Sequence, residues 1–289
     1  MSGLAVRRLS GALGAEIQGV DIAGDIDNIA IATMRNALSE HCILLFRDQK
    51  ITPAQHIAFT ERFGPLQELT LGSYLHADHP EIFVVSNKPV AGKPSDTRNT
   101  GRHWHTDMCY TPHPCRGSLL YALEVPPVGG DTVFANMQRA FDTLSDGMRA
   151  MIENLRAVHD LSRVPDFKNR DPEATRKIVA DNPPVEQPLV WVHPDSGRKS
   201  LLLSEHITCR LAGMSDEESK PLIDYLIAHA TRIKNTYRHQ WRAGDLIFWD
   251  NRSVMHCAPG DYDMSDTANR RHMHRTTLAG PKDLLGTTA

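Results

Sequence analysis

Gly101-Arg102-His103-Trp104-His105-Thr106-Asp107 sets an imidazole and a carboxylate two residues apart. On a β-strand successive side chains point to opposite faces, so His105 and Asp107 are expected side by side on one face, roughly 7 Å apart along the strand. Two such donors can share one metal ion. A tight site needs a third, and the fold must bring it from elsewhere in the chain.

The surrounding chain is strand-rich. After Asp107 comes an apolar run from Ser118 to Val125, a turn at Pro126-Pro127-Val128-Gly129-Gly130, and a resumed strand from Asp131 to Phe134. Upstream, Leu4 to Val20 alternates apolar residues with Gly11, Gly14 and Gly19, which suggests short strands joined by a turn. Asp27 can cap a helix in which Ile31, Met34, Ala37 and Leu38 recur at helical spacing, and Cys42 to Arg47 reads as a buried strand. Thr52-Pro53-Ala54-Gln55 starts a further helix that Gly64 stops. The stretch 88–102, with Pro89, Gly92, Pro94, Ser95, Asp96 and Asn99, has little to bury; it runs into the His-Asp segment and is placed to act as a lid.

Downstream, Met137 to Val158 reads as helical and 160–188 as polar and proline-bearing, together a helical and irregular insertion over 137–188. Leu189 to His193 and Ser200 to Leu203 form a hairpin around Pro194-Asp195-Ser196-Gly197. Ser215-Asp216-Glu217-Glu218 is a capping box for a helix whose apolar stripe is Leu222, Tyr225, Leu226 and His229. Two last strands are expected, Asp245 to Trp249 and His272 to Leu278. No repeat and no domain boundary interrupts this order, so residues 1–289 are read as one domain, mainly β with peripheral helices (α+β). A closed or sandwiched β core accommodates the order better than a doubly wound parallel sheet, which wants regular strand-helix alternation.

Composition narrows the partners. With 40% hydrophobic and 23% charged residues and a net charge of −3, the chain has the make-up of an ordinary globular protein and no electrostatic case for nucleic acid or an anionic membrane. A small molecule is the expected partner. Met1 to Leu9 lacks a signal-like apolar core and no apolar run approaches the ~20 residues of a spanning helix, so the expected location is cytoplasmic. Five scattered cysteines without a Cys-x-x-Cys pair indicate neither a disulfide framework nor a zinc ribbon; Cys109 and Cys257 read as small buried apolar residues.

Among 15 histidines a lone one means little. His256 is distinguished by its place after the strand Asp245-Leu246-Ile247-Phe248-Trp249 and the polar turn Asp250-Asn251-Arg252. Two imidazoles and one carboxylate suit iron(II) and leave three positions free; around zinc the same ligands would serve a hydrolase. Arg271 and Arg275 share a strand face with Met273 between them, which suits recognition of a carboxylate or sulfonate, or else is a solvated surface pair.

Taken together, His105-Thr106-Asp107, Gly129-Gly130-Asp131-Thr132, Trp249-Asp250-Asn251-Arg252, His256 and the Arg271 to Arg275 segment resemble the taurine dioxygenase (TauD/TfdA) family of iron(II)/2-oxoglutarate-dependent dioxygenases. Arg62-Phe63-Gly64 and Gly11-Ala12-Leu13-Gly14-Ala15-Glu16-Ile17 extend the resemblance over nearly the whole chain. It implies a double-stranded β-helix, a jelly-roll variant, with iron(II) held by His105, Asp107 and His256. It also implies 2-oxoglutarate chelating the metal, its far carboxylate on Arg271 and Thr132, with dioxygen as the oxidant. The reaction implied is hydroxylation of a small organic acid of sulfonate, sulfate ester or aryloxyalkanoate type, with succinate and CO2 as coproducts. A hydroxyl placed beside a heteroatom would let the product collapse to a carbonyl compound and a leaving group. Arg275 matches the family's arginine for the anionic end of the substrate, and the resemblance suggests a homo-oligomer, dimer or tetramer.

Two positions depart from the taurine enzymes. Gly101 stands where they have an asparagine in the approach to the metal strand, and Gln67 to Leu71 offers no histidine. The departures point to a larger or less polar substrate with an acidic end, for which Gly101, Leu71, Tyr74 and Val85 are candidate lining residues. A metal-dependent hydrolase on the same His/Asp/His set, or a non-catalytic jelly-roll protein that binds an anion, are the alternatives. A hydrolase would have no use for an Arg271 and Thr132 clamp.

Overall fold

The computed structural model describes residues 3–69, 74–89, 92, 95–165 and 172–280. Leu71, residues 90, 91, 93 and 94 of the expected lid, and residues 166–171 of the expected insertion lie outside the described residues.

The chain begins with β1 (Ala5–Arg8), β2 (Ala15–Gln18), α1 (Asn28–His41), β3 (Ile43–Phe46), α2 (Pro53–Glu61) and β4 (Phe83–Ser86). Next come β5 (Gly117–Glu124), β6 (Thr132–Asn136), α3 (Met137–Asp142), α4 (Asp146–Ile152), β7 (Arg156–His159), α5 (Pro172–Asp181) and β8 (Val185–Pro188). The last third holds β9 (Val190–Val192), β10 (Lys199–Leu201), β11 (Thr208–Leu211) and α6 (Asp216–Ala230). It closes with β12 (Thr236–His239), β13 (Leu246–Asp250), β14 (Val254–Cys257) and β15 (His272–Leu278).

Two sheets make the core. One is seven-stranded in the order β1-β2-β3-β13-β5-β15-β4, and a three-stranded sheet, β12-β6-β14, packs on it. Alternation along β13 shows why. Leu246 and Phe248 pack with Met34 and Leu38 of α1 and with Phe59 of α2, whereas Ile247 and Trp249 pack with Phe134 and Val254 of the smaller sheet. With both faces covered, the strands Ile43–Phe46 and Leu246–Asp250 are buried throughout, which is why they read as unbroken apolar runs. Each large apolar side chain so buried contributes roughly 1.5–3 kcal/mol. This is the jelly-roll core expected from the motifs.

The caps read from sequence are present: Asp27 accepts from Ala30 N, and Thr52/Gln55 and Ser215/Glu218 form reciprocal capping boxes. Two expectations are corrected. His105 and Asp107 do not lie on a continuous strand. His105 pairs with His256 in an isolated antiparallel bridge, and at Asp107 the chain enters a turn that Met108 takes at φ 54°. The helical reading of 137–158 stops too late. Helix α4 ends at Ile152, and the buried Ala157 and Val158 belong to strand β7, because so short an apolar run fits either period.

His56 on α2 illustrates how polar groups tie a helix to the sheet. Its Nε2 lies 3.1 Å from Thr276 Oγ1 on β15, which is also 2.7 Å from Thr60 Oγ1. Burial, reinforced by His274, pushes its pKa down to about 3. His56 is neutral in the fold and protonates near pH 6.5 when unfolded, so its contribution is whole above pH 6.5 and is lost as pH falls toward 3. His159, pushed down to about 4 by burial, acts in the same sense. We expect His56 alone to cost about 2 kcal/mol of stability between pH 8 and pH 5. In urea unfolding His56→Gln should recover that difference; an unchanged pH slope would contradict it.

Candidate metal centre

His105, Asp107 and His256 converge between the two sheets. His105 Nε2 and His256 Nε2 lie 3.6 and 3.9 Å from Asp107 Oδ1, beyond hydrogen-bond length, and donor atoms of the three residues all lie within 4.8 Å of one another. Strand β14, paired with β6, sets His256 opposite Phe134, and the imidazole stacks on that ring at 5.9 Å with Trp249 at 4.8 Å. His105 Nδ1 lies 2.8 Å from the His103 carbonyl, which can only accept, so Nδ1 carries the proton and Nε2 presents its lone pair.

Asp107 is oriented from both sides. Oδ2 accepts from Ser118 Oγ at 2.8 Å and Oδ1 from Arg275 Nη1 at 3.0 Å. Behind Ser118, Asn251 donates to Ser118 Oγ at 3.2 Å and accepts from Trp249 Nε1 at 2.9 Å. The next pair in the same turn is a buried ion pair: the Arg252 guanidinium binds Asp250, which also meets His193 Nε2 at 3.0 Å. Burial by itself pushes the Asp107 carboxyl up, but Arg275, His256 and His105 together hold it well below the usual carboxylate range. Burial, His105 and Arg275 push His256 down to about 3. An anionic Asp107 carboxylate and a neutral His256 imidazole are forms in which a divalent metal takes such ligands, and the set of two imidazoles and a carboxylate with an open side fits iron(II).

An inner cavity runs from His105 and His256 to Thr132 and Arg271, with Gly101 and Val85 in its wall. Arg271 is buried; its Nε donates to Gly130 O at 3.0 Å, and its Nη atoms make no hydrogen bond among the described residues. Burial lowers its pKa to about 10, which leaves it cationic at neutral pH. Thr132 Oγ1 accepts from Trp241 Nε1 at 3.0 Å. Indole only donates, so the threonine hydroxyl hydrogen remains free to donate into the cavity.

A second, outer cleft reaches His105 and Asp107 of the triad from solvent. Tyr74, Phe83, Tyr110, Leu161, Val164 and Ile207 line it, with Arg275 reaching Asp107 from it. The Arg275 guanidinium also sits 4.9 Å over the Phe83 ring. Of the expected lining residues, Tyr74 walls this cleft, Val85 walls the inner cavity, and Gly101 borders both. Gly101 has φ +80°, and a Cβ there would meet His105 Cε1 at 3.2 Å. The glycine lets the chain pass close to the His105 imidazole. Gly101→Ala is therefore expected to displace His105 and to weaken metal affinity about tenfold; a titration giving wild-type affinity would contradict this.

A model of the family described as "Taurine catabolism dioxygenase TauD, TfdA family" matches residues 5–277. The chain belongs to that family.

Relatives of this TauD/TfdA dioxygenase match nearly all of its length. It is 35% identical over 287 residues to the alkylsulfatase of Acinetobacter baylyi, covering 96% of this chain and 85% of the relative. It is 35% identical over 278 residues to the (S)-phenoxypropionate/alpha-ketoglutarate-dioxygenase of Sphingobium herbicidovorans, covering 94% and 93%. Among solved structures, a taurine dioxygenase from Burkholderia xenovorans superposes with a TM-score of 0.80 at 34% identity, over 96% of this chain and 90% of that one. AAD-2 in complex with Mn(II) and N-oxalylglycine gives 0.80 at 32%, over 96% and 98%.

The sequence reading missed the groups that orient this TauD/TfdA site. Ser118 is fully buried on β5, where a hydroxyl among Leu119, Leu120 and Ala122 was the available signal. Trp241, which fixes the Thr132 hydroxyl, carries no local signal. The apolar cleft wall from Leu161 and Val164 comes from the segment read only as part of a polar, irregular insertion.

Proposed function

We propose that the enzyme binds iron(II) through His105, Asp107 and His256 and, with 2-oxoglutarate and dioxygen, hydroxylates a small organic acid at a carbon beside a heteroatom. Iron held there supplies dioxygen activation that couples decarboxylation of 2-oxoglutarate to succinate with oxidation of a substrate C–H bond. The observation that carries the reading is the inner cavity, which joins His105 and His256 of the triad to a buried arginine and to a threonine whose hydroxyl can donate into it.

The chain's own groups divide the work. Arg271 and Thr132 hold the far carboxylate of 2-oxoglutarate, a planar anion matched to a guanidinium fork. Asp107 carries the negative charge of the ligand set, kept ionised by Arg275. Arg275 reaches Asp107 from the outer cleft and anchors the substrate's anionic end. The aromatic and aliphatic walls exclude water and fit an alkyl or aryl body. Such a lining favours an alkyl sulfate or an aryloxyalkanoate over taurine, and the hydroxylated product then collapses to a carbonyl compound with sulfate or a phenol as leaving group. A hydrolase would leave the Arg271 and Thr132 seat without a role. Among the described residues no helix is long and apolar enough to cross a membrane, and the five free thiols support the cytoplasmic location we propose.

Succinate release across a panel of alkyl sulfates, aryloxypropionates and taurine tests this. Turnover is expected with the first two groups. Turnover with taurine alone would overturn the substrate assignment, and none with any acid would overturn the reaction.

A further inference from the structure

His103, Glu205 and His206 meet on the rim of the outer cleft and form a second cluster of metal-type donors, separate from the triad. His206 Nε2 lies 3.3 Å from His103 Nδ1, and His103 Nδ1 lies 4.0 Å from Glu205 Oε2. Donor atoms of all three fall within 4.8 Å of one another, and the two imidazoles meet edge to face at 4.5 Å.

The two segments that carry these residues are pinned together. Glu205 N donates to Trp104 O at 2.7 Å, and Trp104 N donates back to Glu205 Oε2 at 3.1 Å. That pairing fixes His103 beside Glu205 without using an imidazole. His206 follows in a tight turn closed by Ile207 N to Glu205 O at 2.8 Å and Thr208 N to Ser204 O at 2.9 Å. Its φ of 67° is a conformation that residues with a β-carbon seldom adopt, and it points the ring at His103 rather than along the chain.

We propose that this rim is a second metal site, taking a zinc-class divalent cation on His103 Nδ1, His206 Nε2 and the Glu205 carboxylate. Two imidazoles and a carboxylate suit zinc, nickel or copper, which hold nitrogen ligands more tightly than iron(II) does. The His103 and Glu205 side chains are 40% and 38% exposed, so an ion reaches them from solvent and keeps water in its remaining positions. The rim contact between His206 and His103 is a single nitrogen–nitrogen hydrogen bond, and an ion replaces it with two metal–nitrogen bonds. The cleft that leads to the triad then has a divalent charge at its mouth.

The inference does not depend on the iron assignment, and the experiment keeps the two apart. Zinc chloride is titrated calorimetrically into His256→Ala protein, in which the triad is broken, and into the same protein carrying His206→Asn or Glu205→Gln. Asparagine tolerates the left-handed backbone of position 206, and glutamine retains an oxygen for Trp104 N–H. One zinc per His256→Ala chain is expected, with affinity falling at least tenfold in each double variant. Metal analysis of zinc-loaded, dialysed protein with the triad intact should likewise fall by one zinc ion per chain on His206→Asn. No zinc bound by the His256→Ala protein, or binding undiminished by either second substitution, would overturn the proposal.

Discussion

His256→Ala is expected to lose 2-oxoglutarate-coupled turnover by a factor of about 10³ or more, about 4 kcal/mol of barrier. The side chain is one of three donors around a point between the sheets, and its neighbours among the described residues, Phe134, Trp249, His105 and Asp107, include no further donor to replace it. Two remaining donors make a weak site. The measurement is iron retained after gel filtration together with succinate released, and a thermal melt separates loss of the ligand from loss of the fold. Iron affinity equal to that of the wild type would refute the ligand assignment.

Arg271→Ala should act differently, raising the 2-oxoglutarate concentration needed for half-maximal rate while the rate at saturation falls far less. Arg271 is buried and among the described residues spends only Nε, on the Gly130 carbonyl, which on the proposed reading leaves its fork for an anion. Truncating one partner of a buried, hydrogen-bonded charge pair costs about 2–5 kcal/mol, roughly 30-fold to several thousand-fold in binding. Arg271→Lys, which keeps the charge without the fork, should fall between. A change confined to the KM of the organic acid would move Arg271 out of the cosubstrate seat.

Much of this site was legible in the chain because each residue sits in a local pattern that survives folding. His105 and Asp107 are two apart, His256 follows a strand and a turn, and Arg271 and Arg275 flank Met273; the structure gathers all of them, with Thr132, around one pair of cavities. The geometry within the first pair was not legible. A strand would have spaced them along one face, but the left-handed Met108 turns the chain at Asp107, and Ser118 and Arg275 fix the carboxylate. Those partners are set by sheet register: Ser118 faces Trp249 and Thr277 across the β5 ladders, and no spacing in the sequence encodes that.

Fold reading failed where runs were short. Val254–Cys257 is a fully buried strand of four residues, too brief to separate from the turn before it, yet it carries His256. The framework strands β3, β5 and β13, buried on both faces, announced themselves as long apolar runs.

The most direct test of the proposed chemistry is an anaerobic titration of the purified protein with iron(II) and then 2-oxoglutarate, followed by visible absorption. A weak metal-to-ligand charge-transfer band that saturates at one iron per chain, and is absent from His256→Ala, is the predicted result. Wild-type protein that shows no such band with both components present would contradict it.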